Sequence, residues 1–371
     1  MMQGGQGRGD AIALCALVPY PPDTAPSQRF RIEQWSPLLA QDGIAVELVP
    51  FASPSLMRLL YAPGRPWAKT ALTLSAVARR LLQVPRVRRF DVVLVHRALC
   101  LAGPAVPERL LSLCGRPVIY DFDDAIFLLD TTNANRAFGW LKFPGKTAAI
   151  CRLSDHVVVG NEHLAGYARR FNPRVTVVPT SVDTESYRPT PRPAPSARVV
   201  VGWTGSSTSQ AHLEGFAPVL RELARRRSVE VRVISDRKPD LPGLDATWRP
   251  WSAVVSADVA ELSQFDIGIM PVPDDAWSRG KCATKALLYM AMGTPTVCSP
   301  VGANQALVRH DRNGLLASTP EEWLACLERL IDDASLRDRL GRAGRLTVEG
   351  GYSARRSAEA FGRVVREVLE R

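Results

Sequence analysis

The chain has 371 residues, 46% hydrophobic and 23% charged, enough for two domains of ordinary size with the balance of a globular protein. No apolar run approaches the ~18 residues that span a bilayer, and the seven cysteines form no CxxC pair, which excludes a zinc ribbon and a disulfide scaffold and suits reduced cytosolic thiols. The net charge of +10 calls for an acidic partner (nucleotide phosphate, anionic lipid or nucleic acid), although much of the excess is Arg spread over helix surfaces.

Ala11–Val18 reads as a first core strand and not as a leader, followed by a turn-rich loop at Pro19–Pro26. Arg29–Ala40 reads as a helix and Ile44–Val49 as a second strand. Trp67–Phe90 is apolar with Lys69, Arg79, Arg80, Arg86, Arg88 and Arg89. This is a basic amphipathic helix, suited either to packing with a solvated basic face or to docking on an anionic membrane surface. Aromatic residues spaced to stack bases are sparse, so nucleic acid is not expected as a partner. Asp91–His96, Pro117–Tyr120, His156–Gly160 and Arg174–Val178 are further strands, with helices at Pro104–Cys114, Phe138–Leu153 and Glu162–Phe171. Strands alternating with helices predict an α/β fold with a doubly wound parallel sheet.

Pro179–Ala197 holds five prolines and is the clearest linker. A second alternating series follows: strand Arg198–Trp203, helix Ala211–Arg227, strand Glu230–Ile234, edge strand Trp248–Pro250 and helix Asp258–Gln264. Gln264–Asn304 then reads as a βαβ unit. It comprises a strand at Phe265–Met270, a Pro/Asp-rich loop, a helix from about Lys281 to Met292 stopped by Gly293 and Pro295, and a strand at Thr294–Ser299. Its loops Pro271–Gly280 and Pro300–Asn304 would flank one crevice outside the carboxyl ends of parallel strands. Glu321–Asp333, Leu336–Glu349 and Ala354–Arg371 close the chain as helices.

Several side-chain patterns carry chemistry. The chain has 41 Arg but only six Lys, two of them, Lys281 and Lys285, at i and i+4 with Leu288 at i+7. Ammonium groups at a helix start oppose the helix dipole, which makes sense if an anion such as a diphosphate sits there. Gly202–Ser207 (GWTGSS) joins a strand to a helix; Gly202 and Gly205 would let the backbone approach a ligand, and Ser206 and Ser207 can cap the helix. Tyr120–Ala125 (YDFDDA) places three carboxylates at a strand end, and because burying like charge is costly the cluster is expected at the open rim of the sheet. His96 and His163 each lie near a strand end as lone histidines. No Ser/His/Asp arrangement, zinc-spaced cluster or Walker loop is seen.

The Pro-rich loop, Lys285–Gly293 (KALLYMAMG), Thr294–Ser299 (TPTVCS), Pro300–Gly302 and Asn313–Ala317 (NGLLA) resemble the donor-binding segment of GT-B glycosyltransferases, in particular the family 4 group (glycosyl transferases group 1). The resemblance implies two Rossmann-like doubly wound domains facing across a cleft: 1–180 on the acceptor side, a hinge at 181–197, a nucleotide-sugar domain at 198–353, and 354–371 crossing back to the first domain. It implies transfer of a sugar from a nucleoside diphosphate sugar to a hydroxyl of a saccharide or lipid-linked acceptor, with retention, without a metal or further cofactor. Cell-surface polysaccharide or glycolipid synthesis at the cytoplasmic face of the plasma membrane would be the setting.

On this likeness Gly205 and Ser206 face the diphosphate, and Arg279, Lys281 and Lys285 hold it. Val301, Gly302 and Asn304 face the sugar, Asp123 and Asp124 take the place of a His-Asp pair, and Arg29 or Arg31 faces the crevice. Two departures stand out. Leu288 occupies the position where relatives place the second Glu of a ribose-binding Glu-x7-Glu pair, whose first position is Gly280, leaving Asp274, Asp275 or backbone for the ribose. The helix after Gly205 opens with Thr208–Leu213 and no cation. Asp121 and Asp123 also fit the metal-holding Asp-x-Asp of GT-A enzymes, a fold without the second Rossmann-like half. A nucleotide-sugar epimerase and a non-catalytic relative remain as alternatives.

Overall fold

The computed structural model describes residues 11–61, 64–101, 103–128, 143, 145–190 and 198–371. They form two units, 1–178 with 357–371, and 179–356.

Unit 1 is built on a parallel sheet of β1 (Ile12–Val18), β2 (Ile44–Pro50), β3 (Val92–His96), β4 (Val118–Phe122), β5 (His156–Val159) and β6 (Val175–Val177), in the order β2-β1-β3-β4-β5-β6. Every residue of β3, β4 and β5 is buried, as expected of parallel strands covered on both faces. The order reverses between β1 and β3, and ligands of such sheets bind at the carboxyl ends beside that reversal. The Ala354–Leu369 helix packs on this unit through Phe361, 5.6 Å from Trp35, and through Arg366, which donates to the Asp42 carbonyl at 2.8 Å.

The helix expected over Arg29–Ala40 is broken. Pro26–Gln28 runs into a π turn at Arg29–Glu33, and an α-helix follows at Ser36–Gln41. Five consecutive residues, Gln28 to Ile32, are buried, more than one face of a regular helix covers, and the wider turn makes room for them. The basic segment forms a helix at Pro66–Gln83 and a 3-10 turn at Val84–Arg89, where Pro85 ends the α pattern. The helix expected from Phe138 starts at Lys146; 138–142 lie outside the described residues.

Unit 2 is a second parallel sheet: β7 (Val199–Thr204), β8 (Val229–Ser235), β9 (Ala246–Pro250), β10 (Ile267–Met270), β11 (Thr296–Cys298) and β12 (Leu315–Leu316), ordered β12-β11-β10-β7-β8-β9. Counted within the unit this is the dinucleotide-fold order 3-2-1-4-5-6, with its reversal between β7 and β10. Leu213, Leu220 and Leu223 of the Gln210–Arg226 helix meet Trp323, Leu327 and Leu330 of the Pro320–Asp332 helix, over Val201, Val231 and Ile269 of the strands. Two strand glycines admit aromatic rings: a Cβ on Gly202 would stand 2.1 Å from the Phe265 ring, and one on Gly268 2.4 Å from that of Tyr289.

The proline-rich segment is packed over its described part, 179–190. Val182 bridges to Ser353, and Tyr187 is buried with its hydroxyl donating to Asp258 at 2.9 Å. Arg345 donates to the carbonyls of Tyr187, Thr184 and Ala291. Tertiary contacts of this kind hold the described part of a run whose composition reads as linker.

Candidate active site

In unit 2 the segments leaving β7, β10 and β11 carry the candidate donor residues. The Thr204 N–H at the end of β7 donates to the Tyr289 hydroxyl at 2.8 Å, and that hydroxyl donates to the Ile269 carbonyl at 3.3 Å. Burial pushes the Tyr289 phenol well up, so it remains a protonated brace between the two strand ends. Next along the chain, Gly205 is covered by Lys285. A Cβ there would stand 2.7 Å from Lys285 Cε, 2.5 Å from the Trp203 ring and 2.7 Å from Ser209 Oγ. Lys285 Nζ lies 5.2 Å from the centre of the Trp203 ring and Lys281 Nζ 5.8 Å from that of Trp277, and both lysines are half-buried.

Both lysines act on His212 in the first turn of the Gln210–Arg226 helix. Its imidazole is pushed down to about 4, first by burial and then by Lys281 and Lys285, against the opposing pull of Asp275. His212 Nδ1 is buried without a hydrogen-bond partner. Lys285 thus covers Gly205 at the sheet's reversal point, and both ammonium groups act on a neutral imidazole at the start of the following helix.

The β11 loop packs on the same segment. Gly302 has φ +55°, and a Cβ on it would stand 2.6 Å from the Arg279 carbonyl oxygen. Val301 and Asn304 are buried, and Asn304 Nδ2 donates to the Ser299 carbonyl at 3.0 Å, so both brace the loop. Arg279 is exposed and paired with Asp274 at 2.7 Å, while Asp275 accepts the Ser278 N–H at 2.7 Å and caps a short helix. Leu288 is buried and offers no acceptor.

Two expectations need correction here. The helix begins at Thr284, because Ala283 takes a left-handed conformation (φ +56°) that turns the chain. Lys281 therefore precedes the helix and shares no helical face with Lys285; tertiary folding brings the two to His212. Ser206 caps nothing: its hydroxyl lies 2.7 Å from that of Thr208, whereas the Ser207 N–H and hydroxyl donate to Asp236 at 2.5 and 2.8 Å.

In unit 1 the ends of β3 and β4 meet the loop after β1. Asp121 is fully buried and accepts Arg31 Nη2 at 2.5 Å, Arg31 Nε at 3.0 and 3.1 Å, and His96 Nδ1 at 2.7 Å. Burial alone would raise this carboxyl; Arg31 and His96 outweigh it and hold it below the usual range. His96 Nε2 lies 3.1 Å from Ser27 Oγ, which donates to Asp123 at 2.7 Å. Arg97 donates to Asp123 at 2.9 and 2.8 Å and lies 3.7 Å from Asp124. Burial would raise Asp123 as well, but Arg97, His96 and Arg31 hold it well below the carboxylate range.

The carboxylates were expected at an open rim, yet Asp121 and Asp123 are buried, because arginines and a histidine from the neighbouring segments neutralise them. Arg31, expected to face an acceptor, is fully buried on Asp121 and the Val178 carbonyl (2.8 Å). Arg29 is also buried, 5.8 Å from the Phe30 ring. An Asp-x-Asp metal site does not fit, since chain cations occupy both carboxylates; no group of three or more metal-ligating side chains occurs among the described residues. A Ser27–His96–Asp121 chain does exist, contrary to the sequence reading, but Ser27 gives its proton to Asp123, so the chain orients a carboxylate and does not build a nucleophile. Asp124 is the more accessible carboxylate, and His163 is exposed on a helix surface.

Residues 198–333 match the family model described as glycosyl transferases group 1. A D-inositol 3-phosphate glycosyltransferase of a Nocardioides species is 34% identical over 108 residues, 28% of this chain and 23% of that protein, so the match spans about a quarter of the relative's length. Among solved structures, sucrose-phosphate synthase of Thermosynechococcus elongatus superposes with a TM-score of 0.68 at 14% identity, over 97% of this chain and 99% of that one. Anabaena HepE in complex with UDP-glucose does so at 0.66 and 12% identity, over 96% and 100%.

The chain has the GT-B fold, and residues 198–333 are similar to the glycosyl transferases group 1 family.

In this GT-B chain the residues hidden from sequence reasoning are those that act through tertiary contact. Tyr289 looks like one more core aromatic, Ser27 and Arg97 are isolated polar residues, and His96, noted as a lone histidine near a strand end, shows none of its partners in the sequence. His212 alone left a signal: it stands in the first turn of the helix after the glycine loop, where a group facing a bound anion is expected.

Proposed function

We propose that this chain transfers a glycosyl group from a nucleoside diphosphate sugar to an acceptor hydroxyl. The reading is carried by Lys285 covering the Gly205 loop at the reversal point of a dinucleotide-type sheet, with Lys281 acting electrostatically on the same His212 as Lys285. There they would neutralise a departing diphosphate, with Arg279 swinging from Asp274 to join them. The C1–oxygen bond to the diphosphate breaks, a bond from C1 to the acceptor oxygen forms, and the acceptor proton leaves with the diphosphate. The Gly302 backbone would face the sugar. Asp124, with Asp123 fixed by Arg97 and Ser27, would orient hydroxyl groups of sugar or acceptor. We further propose retention without a metal, a saccharide or lipid-linked acceptor, and a role in cell-surface polysaccharide or glycolipid synthesis at the cytoplasmic face of the membrane.

Leu288 favours a second reading, a nucleotide-sugar binder of reduced affinity without turnover, because a buried leucine cannot accept from a ribose hydroxyl. A thermal-shift screen over UDP-, GDP-, ADP- and dTDP-sugars, followed by product analysis with and without acceptors, separates the readings. Donor consumed only with an acceptor supports transfer, donor converted alone supports an epimerase, and binding without turnover supports the binder. No shift with any donor overturns the donor site.

A further inference from the structure

The Pro66–Gln83 helix is held to unit 1 by one edge only. Arg80 is fully buried there and donates to the carbonyls of Val49 (3.0 Å), Val18 (3.1 Å) and Leu99 (3.2 Å), with Ala76 buried beside it. The opposite side carries Trp67, Ala71, Leu74, Ala78, Leu81 and Leu82, all exposed, with Trp67 at 86%, Leu82 at 72% and Leu74 at 63%. At 3.6 residues per turn these six fall within an arc of about 100°. A stripe of that kind is not left in water without a reason.

The charge around it has one sign. Between Glu47 and Asp91 there is no acidic residue, while the same interval holds eight cations. Only Arg80 of the eight is buried. Glu47 at the boundary is paired with Arg89 at 2.7 Å, and Arg79 donates to the Phe51 carbonyl at the foot of the helix.

We propose that this helix lies in the interface of an anionic lipid bilayer, with Trp67, Leu74 and Leu82 among the acyl chains and Arg65, Arg86 and Arg88 among the headgroups. Apolar stripe and flanking cations without acids are the features such interfacial helices combine. The charge pattern selects the bilayer over a second copy of the chain, because two such faces would bring like charges together with no carboxylate between them. The inference deepens the membrane setting proposed above by naming the surface that makes it, and because it uses no residue of either candidate site, its failure would leave the donor-site reading standing.

Vesicle flotation of the full chain tests it, comparing neutral phosphatidylcholine with vesicles containing about 30% phosphatidylglycerol, at low and high salt. Binding to the anionic vesicles alone, weakened at least tenfold by high salt and by the Trp67→Ser/Leu74→Ser/Leu82→Ser variant, is the expected result. Circular dichroism and Tm check that this variant is folded; if it is not, Leu74→Asp alone carries the same readout. Leu346→Ser, at a leucine 67% exposed in unit 2, should bind as wild type does. Brominated lipid should quench wild-type fluorescence more than that of Trp67→Phe. Equal binding to neutral vesicles, or undiminished binding by the folded variants, overturns the proposal. So does a dimer in sedimentation that the same substitutions dissolve, which would assign the stripe to a second copy.

Discussion

Replacing Lys285 by Met tests the donor site while keeping most of the packing. The lysine stem covers Gly205, and its ammonium group lies 5.2 Å from the centre of the Trp203 ring. Methionine retains the apolar stem, and loss of the cation–π contact costs the folded state about 0.5–1 kcal/mol at a half-exposed site. The bound diphosphate loses much more. An ammonium and a phosphate oxygen about 4 Å apart attract by roughly 4 kcal/mol at an effective dielectric of 20. Solvent reaches this half-buried group and screens part of that, leaving the ~1.5–3 kcal/mol typical of a hydrogen bond to a charged partner. At 1.4 kcal/mol per decade, the nucleoside diphosphate of whichever donor shifts the wild-type Tm in the thermal-shift screen should bind about 10–150-fold more weakly. Isothermal titration with that nucleotide measures this directly. A second readout follows from His212, whose pKa is depressed in part by Lys285. In Lys285→Met it should move up from about 4 toward its ordinary value, as NMR titration of the imidazole would show. Affinity for that nucleotide within threefold of wild type would refute the assignment of Lys285 to the diphosphate.

His212 also sets a pH dependence. Its folded-state value of about 4 lies below the ordinary 6.5, so the native state favours the neutral imidazole. That contribution to stability is full above about 6.5 and is lost progressively as pH falls toward 4. A diphosphate neutralising the two lysines should raise the His212 pKa, so binding at pH 5.5 should take up protons in wild type and take up fewer in His212→Gln. Calorimetry in buffers of different ionisation heat checks this, and equal uptake would exclude His212. Arg31→Met leaves Asp121 buried without its main partner and should cost about 3–5 kcal/mol in urea denaturation; a loss under 1 kcal/mol would contradict the buried pair. In Gly302→Ala a Cβ meets the Arg279 carbonyl oxygen at 2.6 Å with φ at +55°, an arrangement costing about 1–3 kcal/mol and visible as a lower Tm. Asp124→Asn should lower kcat about 100-fold or more with the donor KM little changed; unchanged turnover would remove Asp124 from the chemistry.

The doubly wound sheets were legible in the sequence because parallel strands buried on both faces are short unbroken apolar runs, such as VVLVH at Val92–His96 and IGIM at Ile267–Met270. Glycine and proline punctuation fixed their limits to within a few residues. The Gly205 loop and Lys285 were legible for a related reason: a glycine after a strand and a rare lysine at a helix start are local signals. For Lys281 the local signal misled: the helical face expected to pair it with Lys285 does not exist, since one left-handed residue, Ala283, ends the pattern that periodicity extends.

Sequence alone determined what local interactions control: which runs become strands, where helices stop, and that cations cluster near one βαβ turn. Tertiary structure decided what depends on groups distant in the chain. Whether a carboxylate stands at a rim or in the interior turns on whether a cation arrives to neutralise it. For Asp121 that cation, Arg31, comes from 90 residues away, and for Asp123 Arg97 comes from 26 away. Charge burial is a pairwise property, and a linear sequence does not state its pairs.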